Sequence, residues 1–364
     1  MPKKLVLTIF VLLFECIPAN SQQASSTLNQ REEIKLSSLR SELISYRAVT
    51  GYGEFYVLTG PNQYTAVDLD GHTHVALDTS MVPGTITRDS SDLFVINLSP
   101  VPGRGVLATV NWNEIHPPGQ TDQRLPDTRS GILRFDEHGQ YKDLIELPDT
   151  GFSPAKVAQF SNSEGFLAMG YDEHARLHVS LLDARGQMKV LDILPWLNSE
   201  AKPASGPNRT SDIKQASDKQ INQAAMDAGA MQIVSGDDDS IYLYSPQWGA
   251  KFICVHPTGT VSEIKIEGKS DTASEMFPLA MIVDHGNVYL DQAALPTNVP
   301  EKKNGLNHFV LNAYNAANGA LLKTYSLDTP FAGTPVALGP TDLYFLNAAV
   351  VSGQLSFSLI RAYP

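Results

Sequence analysis

GFLAMGYDEHARLHVSLLDARGQMKVLDIL, residues 165–194, decides the fold. An apolar run at 165–171 is followed, one connection later, by a second run that enters a D-x-x-G turn at Asp183–Gly186 and leaves it as a third. Apolar and polar residues alternating around tight turns mark strands. The unit recurs. Counterparts of its first strand are EFYVLTG (54–60), DLFVINL (92–98), SIYLYSP (240–246), NVYLDQA (287–293) and DLYFLNA (342–348), and the glycine turns fall at Gly71, Gly139, Gly186, Gly259 and Gly319. A strand-only unit repeating every 40 to 75 residues predicts a β-propeller, in which each blade covers the faces of its neighbours.

Each of these strands is reached from an inner strand through a short polar turn: TGYG (50–53), RDSS (88–91), SNSE (161–164), GDDD (236–239), DHG (284–286) and GPT (339–341). The inner strands are then YRAVT (46–50), TITRD (85–89), KVAQF (156–160), MQIVS (231–235), MIVDH (281–285) and PVALG (335–339). The last blade stops at its third strand, LSFSLIRAYP (355–364). The N-terminal segment EEIKLSS (32–38) matches an outer strand elsewhere, SEIKIEG (262–268), and is expected to supply the missing one, removing an exposed edge. The expectation is an all-β, six-bladed β-propeller spanning 22–364 as one domain, its last blade closed by an N-terminal outer strand.

The YV and YL strands followed by D-x-x-G turns resemble NHL-repeat and related six-bladed families over nearly the whole mature chain. Asp136–Gly139 and Asp183–Gly186 match that turn cleanly, 67–71 reads as a residue shorter, and the later turns carry His256 or Asn315 in place of aspartate. The resemblance implies a fold and no particular activity.

Compartment is read from the first residues. Lys3 and Lys4 precede the apolar run LVLTIFVLLF, and Ala19-Asn20-Ser21 offers small residues to a signal peptidase, so residues 1–21 read as a signal peptide cleaved near Ser21-Gln22 and the mature chain as secreted or periplasmic. The apolar run is too short for a permanent transmembrane helix, and no second one follows. Without Lys3, Lys4 and Glu15, 25 basic and 38 acidic residues remain, a net charge of −13, which repels phosphate backbones and argues against a nucleic-acid partner. Only Cys254 survives cleavage, so no disulfide framework is expected.

Strand alternation sorts the connections onto two faces. One face carries short turns in every blade. The other receives every insertion: about 99–130 in blade two, with part of it as an extra hairpin; about 195–230 between blades three and four, with a mobile first half and a helix near 211–227 starting from Ser211; and 294–307 in blade five. Trp112, Trp196 and Trp248 all map to this face. Tryptophan is favoured at binding surfaces and also pins loops to a scaffold. Asp-Thr pairs before proline, at 78–79, 149–150, 271–272 and 328–329, read as turn chemistry on the same side.

Catalytic patterns are scarce. There is no G-x-S-x-G, no H-E-x-x-H and no P-loop. His174 and His178 straddle a loop and a strand start, too far apart along an extended chain to share a metal without a sharp bend. His72 and His74 beside Asp70, and the run Asp237-Asp238-Asp239, read as solvated turns. Glu114 and His116, near Trp112, are candidate acid and base or metal ligands. Six-bladed lactonases hold a divalent metal at the channel with carboxylate and asparagine side chains. The inner strands here offer Arg47, Thr87, Gln159 and Gln232 and few carboxylates. Two functions follow as expectations. The first is a binding propeller for a peptide, glycan or partner protein, using Trp112, Trp196, Trp248, Arg47, Gln159 and Gln232, without a cofactor. The second is a metal-assisted hydrolase or lyase using Glu114, His116 and His174.

Overall fold

Phe166, Leu167, Ala168 and Met169 are consecutive and all fully buried, because the two faces of their strand meet different neighbours. Phe166 and Ala168 pack with Leu107, Ile132 and Val157 on one side, while Leu167 and Met169 pack with Ile233, Leu243 and Ile253 on the other. A strand covered on both faces reads as a continuous apolar run. The computed structural model describes residues 24–28, 30–39, 48–51, 53–60, 62–78, 82, 93–113, 128–148, 152–198, 217–267, 276–277, 281–294, 309–327, 334–339, 342–351 and 354–363.

Six antiparallel sheets stand as blades around a central axis. After β1 (Ala24–Thr27) and β2 (Gln30–Lys35), blade one comprises β3 (Ala48–Thr50), β4 (Glu54–Gly60), β5 (Gln63–Asp68) and β6 (Thr73–Asp78). Blade two comprises β7 (Leu93–Val101), β8 (Gly105–Asn113), β9 (Thr128–Phe135) and β10 (Tyr141–Glu146). Blade three comprises β11 (Phe152–Gln159), β12 (Phe166–Asp172), β13 (Leu177–Leu182) and β14 (Met188–Val190), and is followed by helix α1 (Asp218–Ala230). Blade four comprises β15 (Gln232–Ser235), β16 (Ile241–Tyr244), β17 (Lys251–Val255) and β18 (Val261–Lys265). Blade five comprises β19 (Met276–Phe277), β20 (Met281–Asp284), β21 (Asn287–Ala294), β22 (Phe309–Asn315) and β23 (Leu321–Leu327). Blade six comprises β24 (Thr334–Leu338), β25 (Leu343–Val351) and β26 (Gln354–Tyr363).

The N-terminus closes the ring twice. As expected, β2 pairs antiparallel with β26 as the outer strand of blade six. Tyr363 donates its hydroxyl to Glu32 at 3.0 Å, and Arg361 pairs with Asp342 at 2.6 Å. In addition β1 pairs parallel with β23, adding a sixth strand to blade five that the sequence did not lead us to expect. Six hydrophobic layers fill the seams between adjacent blades, one per seam.

Blade two corrects the phasing. DLFVINL is the inner strand β7 and not the second strand, because its far end enters a tight turn in which the Arg104 N–H donates to the Val101 carbonyl and Gly103 and Gly105 take positive φ. The blade's second strand is therefore β8, which lies inside the stretch read as an insertion, and the stretch TITRD with Thr87 lies outside the described residues. The blade-one turn is also corrected. Asp68 stands three residues before Gly71, the same spacing as in blades two and three.

In all three turns the aspartate accepts two backbone N–H groups: Asp70 and His72 on Asp68, His138 and Gln140 on Asp136, and Arg185 and Gln187 on Asp183. The Gln140 and His138 amides hold the Asp136 carboxyl below its usual range, and the Gln187 and Arg185 amides do the same for Asp183. Each glycine turn also touches the preceding blade. A Cβ on Gly139 (φ 72°) would lie 2.2 Å from the Val75 carbonyl oxygen of blade one, and one on Gly319 (φ 72°) 1.9 Å from the Lys265 carbonyl oxygen of blade four. Glycine is required there both by conformation and by close approach.

Helix α1 begins later than expected. Ser217 is its N-cap, with the Ser217 N–H donating to Gln220 Oε1 at 3.0 Å, while Ser211 lies outside the described residues. Ala224 and Ala228, one turn apart, bury its inner face against blade three. No helix among the described residues is long and apolar enough to cross a membrane. The Asp-Thr pairs lie outside the described residues except for Asp78, the last residue of β6.

Candidate functional site

The innermost strands β3, β7, β11, β15, β20 and β24 surround a central channel with a cavity of about 210 Å³. Its polar side chains are Thr50, Asn97, Ser99, Gln232, Ser235 and Thr334, with Lys156 as the charged group among the described lining residues. Gln232 and Thr334 open their strands and so stand at the mouth on the face of the long connections. Ser99 and Thr50 stand toward the short-turn face. Asn97 donates to Ser99 Oγ at 3.0 Å, and both are buried on an inner strand, so the Asn97-Leu98-Ser99 tripeptide, a glycosylation acceptor by sequence, is closed to a glycan in the folded chain.

Lys156 ties the inserted helix to the channel. Its ammonium donates to the carbonyls of Gly229 (2.7 Å) and Met231, at the C-terminal end of α1, where the helix dipole favours a cation. Gly229 itself lines the cavity. A second tie runs from Gln247 Nε2 to Asp227 at 3.1 Å.

Trp196 and Trp248 come together although 52 positions separate them. Each lies in a short 3-10 turn, at Pro195–Asn198 and Pro246–Trp248, and their rings meet edge to face with centroids 5.5 Å apart. The Lys251 ammonium sits 4.2 Å from the centre of the Trp196 ring. Both rings rest partly buried on the hydrophobic layer between blades three and four. Trp112 stands apart from them. It is 8% exposed near the end of β8 and belongs to the layer between blades one and two, with its ring over Gly131. Gln159 is buried, its carbonyl accepts the Ser235 hydroxyl at 2.7 Å, and its side-chain nitrogen has no protein partner. Arg47, Glu114 and His116 lie outside the described residues.

His174 lies in a tight turn between β12 and β13, where Ala175 takes a φ of 60° and its N–H returns to the Asp172 carbonyl. His178 does not turn toward it. Instead His178 stands between two carboxylates, Nδ1 2.8 Å from Asp192 and Nε2 3.2 Å from Asp172, and stacks on Phe152. Burial alone would raise the Asp172 carboxyl, but the Arg176 side chain and N–H, His178 and the His174 N–H hold it down at about 2. This network fastens the connection after blade three to its sheet, helped by the Ile193 N–H on the Val179 carbonyl. Lys156, Asp172 and Asp192 were not singled out by sequence. Lys156 lies in the quoted inner strand KVAQF, whereas no local signal joins Asp192 to His178.

The opposite face holds Asp68, Asp70 and His72, the one group of three side chains among the described residues whose ligand atoms approach closely enough to share a cation. Asp68 is already engaged there by two backbone N–H groups and by His72 Nδ1 at 2.9 Å. Asp238 and Asp239 are likewise committed. Asp238 accepts the Tyr242 hydroxyl, and Asp239 accepts the Asn162 and Ser163 N–H groups of the neighbouring blade.

No family model matches the chain, and no curated protein matches it. Among solved structures, a member of the DUF4221 family from Bacteroides vulgatus is 11% identical, covering 92% of this chain and 96% of that one, with a TM-score of 0.47. A chain of the mitotic checkpoint complex is 12% identical, with full coverage of both and a TM-score of 0.40. Likeness at this level bears on neither family nor activity.

Proposed function

We propose that this protein is a binding propeller, exported by its N-terminal leader to the periplasm or the cell exterior, that holds a peptide, glycan or partner protein on the face carrying its long connections. The observation that carries the reading is the gathering of α1, the Trp196–Trp248 pair and the polar channel mouth on that one face, with Lys156 binding the helix to the mouth. The D-x-x-G turns at Asp68, Asp136 and Asp183 support taking the chain as an NHL-like propeller, a statement about repeats and not about activity.

The test is a screen of peptide and glycan arrays with mature protein starting at Gln22. Any ligand found is then titrated against two paired variants. Trp248→Ala with Gln232→Ala is expected to weaken binding at least tenfold. His138→Ala with Arg185→Ala, on the short-turn face, is expected to leave it unchanged. The reverse pattern, at equal thermal midpoints, would overturn the assignment. N-terminal sequencing of the exported protein checks the leader, with Gln22 expected as its first residue.

A further inference from the structure

We propose that the central channel is itself a binding site for one small uncharged polyhydroxy molecule, a monosaccharide or a polyol of similar size. This goes beyond binding on the outer face, with which it shares Gln232 at the channel mouth.

Each innermost strand is hydrogen-bonded to its own blade on one edge; on the other, neighbouring blades take some groups, as Asn62 donates to the Leu93 carbonyl and accepts the Val95 N–H and the Ser235 hydroxyl donates to the Gln159 carbonyl, and the rest of that edge borders the channel. The uncharged polar side chains lining the same space are hydroxyls and amides, Thr50, Asn97, Ser99, Gln232, Ser235 and Thr334, set among apolar ones such as Val49, Ile233 and Ile282, which suit the C–H faces of a sugar ring. Hydroxyls and amides both donate and accept, and an edge of backbone does so in alternation. A ligand carrying hydroxyl groups matches such a wall in either role.

Charge narrows the class. No carboxylate stands among the described lining residues, so a cationic ligand finds no counter-charge. The Lys156 ammonium is held by the Gly229 and Met231 carbonyls at the negative end of α1, which offsets part of its charge and competes with an anion for it. An uncharged ligand loses nothing on either count.

Size narrows it further. About 210 Å³ is far more than the ~10–15 Å³ that one water needs and less than the roughly 300–1,000 Å³ of sites for drug-sized molecules. A single sugar ring or open-chain polyol lies in that interval.

Behind the wall, in the seam between blades two and three, lies hydrogen-bonding capacity that the protein does not use. Thr109 Oγ1 and Gln159 Nε2 are buried and make no hydrogen bond to protein. Thr109 is paired in register with Ile132 and Asn97, and Gln159 with Phe166. Ile132 and Phe166 pack in the seam between blades two and three, so both polar groups point into that seam. Asn97 and Ser99, on the same side of β7, separate the seam from the channel. Buried polar groups ordinarily have partners, and two without one behind the same two channel residues mark this sector as the polar side of the site.

The test is calorimetric titration of the mature protein with D-glucose, D-galactose, D-ribose and sorbitol, with gluconate and glucosamine as charged counterparts. Saturable one-to-one binding of at least one neutral compound, in the millimolar range or tighter, is expected, with the charged counterparts at least tenfold weaker. Gln232→Met, which keeps volume and removes the amide, and Ser99→Ala, which removes a hydroxyl, should each weaken binding at least fivefold at an unchanged thermal midpoint. Trp248→Ala should leave it unaltered, which separates this site from the outer-face reading. No saturable binding by any neutral compound overturns the proposal. So does tighter binding of gluconate, or binding indifferent to both channel variants.

Discussion

The two faces of the disc use similar residues to opposite ends. On the short-turn face, polar atoms are spent on turn backbone: Asp68, Asp136 and Asp183 on their own turns, and Asp239 and Arg104 on the adjacent blade's turn at Asn162 and Ser163. On the other face the connections are long, and groups far apart in sequence meet, as in Trp196 with Trp248, Lys156 with α1, and His178 with Asp192. The acid-rich face is thus the committed one. Density of carboxylates and histidines does not locate a site when the carboxylates are taken up by turn backbone, as Asp68, Asp136, Asp183 and Asp239 are.

The comparison can be broken most sharply at glycines. Gly139→Ala and Gly319→Ala each force a side chain into a left-handed conformation and against a carbonyl of the preceding blade, so each should cost about 3 kcal/mol of stability in urea unfolding. Gly229→Ala, in α1 on the other face with nothing within 4 Å of the new atom, should be neutral or stabilise by up to ~1 kcal/mol. Equal costs at the two kinds of position would show that the short-turn face is not the interlocked one.

Acid sharpens it next. Asp172 titrates at about 2 in the fold and near its ordinary value of ~3.9 when unfolded, so its contribution is complete above about pH 5 and is lost as pH falls toward 2. Asp172→Asn should therefore cost about 2 kcal/mol at pH 7 and almost nothing at pH 2, read as urea midpoints at the two pH values. A smaller effect, about 1–2 kcal/mol, is expected for Asp239→Ala, which removes the carboxylate joining blades three and four, whereas Asp237→Ala beside it should stay within ~0.5 kcal/mol. Smallest of all, Ser217→Ala should cost about 1 kcal/mol, seen as faster hydrogen exchange in α1 and not in the blades.

Blade count, ring closure by residues near 32–38 and the sorting of connections were legible, because they rest on local alternation and on turn residues. Blade two was misphased for a local reason as well. The polar run RDSS before DLFVINL imitates an inner turn, and only the pairing of Leu93–Val101 with Gly105–Asn113 shows which strand is innermost. Strand β1 escaped because ASST has no apolar signal and is fixed by parallel pairing with Lys323–Ser326. At the candidate site, Gln232 was legible from its place at the head of an inner strand. Lys156 was not, since its partners are carbonyls of a helix 73 and 75 residues on.

The central claim is that binding belongs to the long-connection face and the channel, while the short-turn face is scaffold. Hydrogen exchange of the mature protein, with and without a ligand found by array or titration, tests it most directly. The account predicts protection at 195–198, 217–235 and 245–250, with no change at 136–140 and 183–187. Protection confined to the D-x-x-G turns would contradict it.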